Sequence, residues 1–250
     1  MRHNGYVTMP EMDASDGSFA ARCTSGPVVL RQAAAGWPCR RWTQETLAEA
    51  LWGRPLTVAA VDTKGLVVGD SGLHLSHTDR FFSDRAGYLM APFDELPPSL
   101  LRDVPEPDIC RDAAFRSSKL WCAPEGAVTP LHFDLAHNLH AQLDGTKRVL
   151  LHPPWPRRAL YPRPLWSGTP NFSDVDPLRP DLARHPRFAG VQLLRCLLEP
   201  GDVLYIPSGY WHHVTSVQQS MSVNFWWARG WLGGVARAAD WWKRRRGLSR

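Results

Sequence analysis

From Leu120 to Trp227 the chain breaks into short apolar runs separated by Gly, Pro and Asp turns, and nothing else in it constrains the fold as tightly. Short runs punctuated in this way are the pattern of an all-β sandwich or barrel. The runs expected as strands are Leu139–Leu143, Lys147–Leu151, Val191–Leu198, Val203–Pro207, His212–Val217 and Met221–Trp227. Asp144-Gly145, between the first two, is a hairpin signal because this dipeptide favours the tight turns that need positive φ.

The first half is less regular. Pro27–Leu30, Leu56–Val61, Leu66–Val68 and Gly87–Pro92 read as further short strands. Thr43 can cap a helix running through Leu51, with Glu45 in its first turn and Gly53 as its stop. Leu47, Leu51 and Trp52 would be its apolar face. Leu96–Pro107, with four prolines, is expected as a surface loop. Pro153–Pro186 is a long Pro-rich insertion, which inside a small domain is either a functional loop or a cover. Residues 1–25 are polar and unpatterned and read as a flexible arm. From Gly230 the tail reads as a helix with Leu232, Val235, Ala239 and Trp242 at helical spacing, ending in the basic cluster Lys243 to Arg246.

Composition excludes several classes. With 44% hydrophobic and 21% charged residues, the chain can bury a core. It holds no apolar run of about 18 residues, so no membrane-spanning helix is expected. The N-terminus lacks the apolar region of a secretory signal. The five cysteines are scattered and form no CxxC pair, which points to reduced thiols and a cytoplasmic protein.

Two stretches carry chemistry. In GAVTPLHFDLAHNLHAQLDG, from Gly126 to Gly145, His132 and Asp134 are two apart and would share a strand face. In GDVLYIPSGYWHHVTS, from Gly201 to Ser216, a Gly/Pro turn delivers His212 to the start of a strand. Two His and one carboxylate are the donors of a non-haem Fe(II) site that leaves the opposite coordination positions open. Each residue alone would read as ordinary: a solvated His/Asp pair and a core histidine.

Together the stretches resemble the two cupin motifs. Gly201, Pro207, Gly209 and His212 match the second, and Gly126, His132, Asp134, Asn138 and Gly145 match the spacing of the first. Asp134 stands where many cupins have His, and Asn138 where they have Glu. Both departures are those of the JmjC and cupin-like 2-oxoglutarate oxygenases. TPLHFDLAHNLHAQLDGTKRVLLHPP, PGDVLYIPSGYWHHV and SVNFWW are similar to segments of the asparaginyl hydroxylase that acts on hypoxia-inducible factor and its bacterial relatives.

The resemblance implies a mainly β fold: a double-stranded β-helix (cupin/jelly-roll barrel) with flanking α-helices. It divides the chain into an arm (1–25), a JmjC/cupin-like catalytic domain (26–229) and a C-terminal basic helix (230–250). It implies Fe(II) held by His132, Asp134 and His212, with 2-oxoglutarate as cosubstrate and O2 as oxidant. His213 would point the other way along its strand. The far carboxylate of 2-oxoglutarate needs a cation and hydroxyls. Lys147 matches the family's cosubstrate lysine, and Thr129 its hydroxyl partner. Between His212 and Arg229 the chain has no Arg or Lys, which favours Lys147. Asn138 and Asn224 match positions near the iron, and Tyr88 a tyrosine that reaches the far carboxylate. Trp226 and His140 would line the site.

The implied activity is hydroxylation of a C–H bond on a protein or peptide side chain. Demethylation through the same chemistry stays open. So do a tRNA or small-metabolite substrate and a non-catalytic binding role. The basic tail could meet RNA, but no other nucleic-acid motif accompanies it, and a solvated helix end is the simpler reading. Its apolar stripe makes a homodimer through the C-terminal helix a further expectation.

Overall fold

The computed structural model describes residues 6–13, 23, 26–59, 73–77, 81 and 87–245. In chain order the strands are β1 (Tyr6–Thr8), β2 (Glu11–Asp13), β3 (Val28–Arg31), β4 (Pro55–Ala59), β5 (Leu73–His77), β6 (Tyr88–Pro92) and β7 (Phe115–Ala123). They continue as β8 (Val128–Phe133), β9 (His137–Asp144), β10 (Lys147–His152), β11 (Leu193–Leu198), β12 (Val203–Ile206), β13 (Trp211–Ser216) and β14 (Ser220–Ala228). The α-helices are α1 (Gln44–Leu51), α2 (Pro98–Leu101) and α3 (Gly230–Arg245).

Two sheets face each other. The smaller runs β1-β11-β10-β13-β8, and the larger β2-β3-β12-β9-β14-β7-β6-β4-β5. From β7 to β14 the chain mostly alternates between them, which is the double-stranded β-helix expected. Asp144-Gly145 does make a turn, and Gly145 takes φ 64. It is not a hairpin, however. β9 pairs with β12 and β14, whereas β10 pairs with β11 and β13. The turn instead carries the chain from one sheet to the other. A Cβ at Gly145 would sit 2.0 Å from the Gln219 carbonyl oxygen, so the corner requires glycine.

Three apolar layers follow. Met9, Val149, Leu151, Leu198, Leu204 and Ile206 fill the space between the sheets. Leu47 and Leu51 of α1 pack on the outer face of the large sheet against residues such as Leu120, Leu139 and Val223. Thr43 caps α1, accepting from the Thr46 N–H at 3.2 Å while the Thr43 N–H donates to Thr46 Oγ1 at 2.8 Å. Trp52 does not join that face. It lies past the helix end and is 71% exposed.

The Pro-rich insertion is a packed cover. Leu160, Val175, Phe188 and Val191 bury themselves on the outer face of the small sheet with Leu131, Leu150, Leu193 and Trp211. Each such side chain contributes on the order of 1.5–3 kcal/mol. The cover also completes an edge. β8 ends the small sheet, and Phe133 N–H donates to Asn171 O at 3.0 Å while Ser173 N–H donates to Leu131 O at 2.8 Å. The backbone groups of an open edge strand are thereby partly paired.

Four other expectations are corrected. Within the arm, β1 pairs in parallel with β11 and β2 with β3, and Met9 is buried between them. Arg31 ties this arm down by bridging Glu11 and the buried Asp202. Leu96–Pro107 is not simply a surface loop, because it contains α2 and buries Leu96 and Leu100. The inner face of α3 carries Gly233 and Ala236, while Val235 is 42% exposed, so the tail stripe is shifted in phase. β7 begins at Phe115, before the strand region expected from Leu120. The run over Leu66–Val68 lies outside the described residues, as does the end of the basic cluster at Arg246. Among the described residues, no helix is long and apolar enough to cross a membrane.

Candidate metal centre and cosubstrate pocket

His132 and His212 are direct cross-strand partners on β8 and β13. Their rings are tilted, with centroids 4.1 Å apart. Asp134 lies one residue beyond the end of β8, with Oδ2 3.8 Å from His212 Nε2. Ligand atoms of the three residues all lie within 4.8 Å of one another.

Each donor is held by a neighbour. His132 Nδ1 is 2.8 Å from Pro130 O, and His212 Nδ1 is 3.1 Å from Tyr210 O. A carbonyl can only accept, so each Nδ1 carries a proton, and in the neutral ring the lone pair is then at Nε2. The Trp226 Nε1–H donates to Asp134 Oδ2 at 2.8 Å, and the Gly209 N–H donates to Asp134 O at 2.8 Å. This arrangement suits a divalent cation, which needs neutral imidazoles and an oriented carboxylate.

A bulge between His212 and Val214 breaks the pairing with β8. His213 takes the opposite face, where burial pushes its pKa down to about 4. His137 also faces away. Its Nδ1 lies 2.9 Å from the Tyr205 hydroxyl, and burial lowers its pKa.

The triad lies on the wall of a cavity of about 260 Å³. Thr129, Asn138, His140, Asn224, Trp226 and Tyr88 also line it. Asn224 Nδ2 donates to Asn138 Oδ1 at 2.8 Å, linking β14 to β9. His140 is buried. Burial first, and the Lys147 charge second, hold its pKa well below the ordinary value, so it stays neutral. Tyr88 is bonded to Thr129, and burial raises its phenol to about 12.

Lys147 is not among the lining residues. It is 0% exposed, and Nζ donates to Ser222 Oγ on β14 at 2.7 Å. Burial lowers its pKa to about 7. An anion beside it would reverse that shift, because an opposite charge favours the protonated form.

Several wall residues escaped sequence reasoning. Phe115, Ser117, Lys119 and Trp121 line the mouth from β7, and Ala236, Ala239 and Asp240 from α3. The alternation on β7 was readable as a period of two. The approach of α3 was not, since it depends on where the helix docks. Ser222, which anchors Lys147, belongs to another strand and carries no local signal.

Residues 19–230 match the family model described as "Cupin-like domain". The chain belongs to this cupin-like family of JmjC proteins. It is 33% identical over 218 residues to "Lysine-specific demethylase JMJ30" of Arabidopsis thaliana, covering 81% of this chain and 50% of the relative. "Lysine-specific demethylase 8" of Danio rerio is 38% identical over 151 residues, covering 58% and 37%. "Bifunctional peptidase and (3S)-lysyl hydroxylase JMJD7" of Homo sapiens is 28% identical over 247 residues, covering 82% and 78%. The chain thus spans half the length of the Arabidopsis relative and less of the Danio one. Members of the JmjC family generally use Fe(II) and 2-oxoglutarate, and the donor set of this cupin-like chain fits the metal.

Proposed function

We propose that this chain is an Fe(II)- and 2-oxoglutarate-dependent oxygenase that hydroxylates a C–H bond of a protein or peptide side chain. The observation that carries the reading is the convergence of His132, Asp134 and His212, with ligand atoms within 4.8 Å of one another, on the wall of one cavity. Two His and one carboxylate leave coordination positions for a keto acid and O2. With Fe(II) and 2-oxoglutarate bound, the chemistry supplied is their family's coupled oxidation: one oxygen atom of O2 ends in succinate, released with CO2, and the other in the hydroxylated product.

The chain's own groups hold, orient and shield. Lys147, buried and anchored by Ser222, supplies the positive charge for the far carboxylate, and Thr129 and Tyr88 supply hydroxyls. Asn138 and Asn224 form an amide pair beside the triad. His140, kept neutral, adds no charge that would compete with the cation. Trp226 holds the Asp134 carboxylate in place.

The relatives' names make lysyl side chains the first substrates to test, as hydroxylation or N-demethylation. The five cysteines are all buried free thiols, which supports a reducing compartment such as the cytoplasm. Trp231 and Val235 are exposed on α3, which supports a homodimer through that helix. In that case Trp231→Glu lowers the solution mass measured by light scattering to that of one chain.

The test of the activity is succinate release from 2-oxoglutarate with added Fe(II), together with mass spectrometry of lysine-containing peptide pools. The expected results are a gain of one oxygen or loss of a methyl, abolished by His132→Ala. Absence of turnover with every pool, and of any 2-oxoglutarate consumption, would sink the reading.

A further inference from the structure

The Pro-rich cover does more than shield the back of the small sheet. Its residue Phe172 stands opposite His132 as an antiparallel bridge partner, forty positions along the chain. The flanking bonds run from Phe133 N–H to Asn171 O and from Ser173 N–H to Leu131 O. His132 and Phe172 are therefore a non-hydrogen-bonded pair, the kind that brings facing side chains closest. Their rings stack, with centroids 5.1 Å apart and planes 16° apart.

Phe172 is itself held. The Arg163 guanidinium carbon lies 5.7 Å from its ring centroid. Arg163 Nε donates to Asp174 Oδ1 at 3.2 Å and Nη1 to Thr169 Oγ1 at 3.1 Å, and its backbone N–H donates to Phe172 O at 2.8 Å. Asn171 Nδ2 donates to Phe133 O at 3.1 Å, fastening the same segment to β8. A ladder of Arg163, Phe172 and His132 thus runs from the surface to the triad.

A hydrogen bond at Nδ1 alone leaves an imidazole free to rock about its side-chain torsions. A flat ring against its face restricts that freedom. We propose that Phe172, braced by Arg163, is a positioning residue that sets the plane of His132 and so the aim of its Nε2 at the metal. The inference rests on the metal-site reading above.

The test titrates the full chain with Co(II), read by its visible absorption bands, beside thermal unfolding of each variant. Phe172→Leu keeps apolar bulk and removes the flat ring. It is expected to bind Co(II) ~10-fold more weakly, as loss of a ligand's support typically does, with shifted bands. Phe172→Tyr restores both. Arg163→Met, which leaves the buried cover intact, gives a smaller change in the same direction and serves if Phe172→Leu does not fold. Trp166→Ser, at a site 88% exposed in the same cover, binds as wild type. Wild-type affinity and bands in Phe172→Leu and Arg163→Met would overturn the inference, and so would equal losses in Phe172→Leu and Phe172→Tyr. A wild-type chain that binds no Co(II) would overturn the metal-site reading itself.

Discussion

The two sheets face one cavity and divide its chemistry. The small sheet carries the candidate donors, His132 on β8 and His212 on β13 with Asp134 just past β8, as well as Thr129 on the cavity wall and the buried Lys147 of β10, which is not on that wall. The large sheet supplies mostly uncharged groups, Tyr88, Asn138, His140, Asn224 and Trp226, together with the charged Lys119 of β7. The two are stitched by bonds between sheets, Lys147 to Ser222 and Asp134 to Trp226. The difference teaches that Lys147 and Asp134 take their orientation from the opposite sheet, whereas the two histidines are held by carbonyls of their own segments and, for His132, by the cover. Charged groups are costly to bury, so Lys147 and Asp134 each need a hydrogen-bonding partner on the opposing sheet.

If this division is right, the largest effect comes from the small sheet. His212→Ala should reduce succinate formation to background and abolish Co(II) binding, read by enzymatic succinate assay and absorption. Retained turnover would break the comparison outright. Lys147→Met comes next. Truncating one partner of a buried charge pair typically costs about 2–5 kcal/mol, so the apparent 2-oxoglutarate requirement should rise by about 30-fold or more, with iron binding little changed.

The large sheet should act through positioning. Trp226→Phe keeps the ring and deletes the donor to Asp134. Co(II) affinity should fall by ~10-fold, measured by titration, while the fold is kept. An unchanged affinity would mean that the small sheet orients its own ligands.

Lys147 also gives a pH effect. Its pKa is lowered from 10.5 to about 7 on folding, so above pH 7 the unfolded chain binds the extra proton. Stability of the ligand-free protein should therefore rise with pH from about 7, by up to ~1 kcal/mol per unit. The buried thiols, with pKa values pushed up to about 12, oppose this once the pH passes their ordinary value of 9.0. The rise is thus confined to about pH 7–8.5, and Lys147→Met should flatten it in a series of thermal melts. The smallest effect belongs to α3. A Cβ at Gly233 would meet Ala114 Cβ at 2.7 Å, so Gly233→Ala should shift the helix. The KM for a peptide should rise a few-fold, with uncoupled 2-oxoglutarate turnover unchanged.

Much of this was legible in sequence, for a physical reason. The cupin-like spacing around His132, Asp134 and His212 survives as geometry because strand partners at a fixed register keep side chains on one face. The capped helix at Thr43 was readable because capping is local. The misreadings share the opposite cause. Asp144-Gly145 announces positive φ but not which sheet the next strand joins. The tail shows a helical period, but its phase depends on contacts with Ala114 and Ala228. β1 and β2 have too few residues and too polar a pattern to register locally, and they exist because two sheet edges lie beside them.

The sequence by itself marked the donors that could hold a metal, since donor type and spacing are properties of the chain, and its resemblance to the family supplied the candidates for a dicarboxylate. Only the tertiary structure decided what steadies those residues. Ser222 against Lys147, Trp226 against Asp134 and Phe172 against His132 meet across separations of 75, 92 and 40 positions. The first two need the sheets to close on each other and the third needs the cover to pair with β8, and no local pattern encodes them.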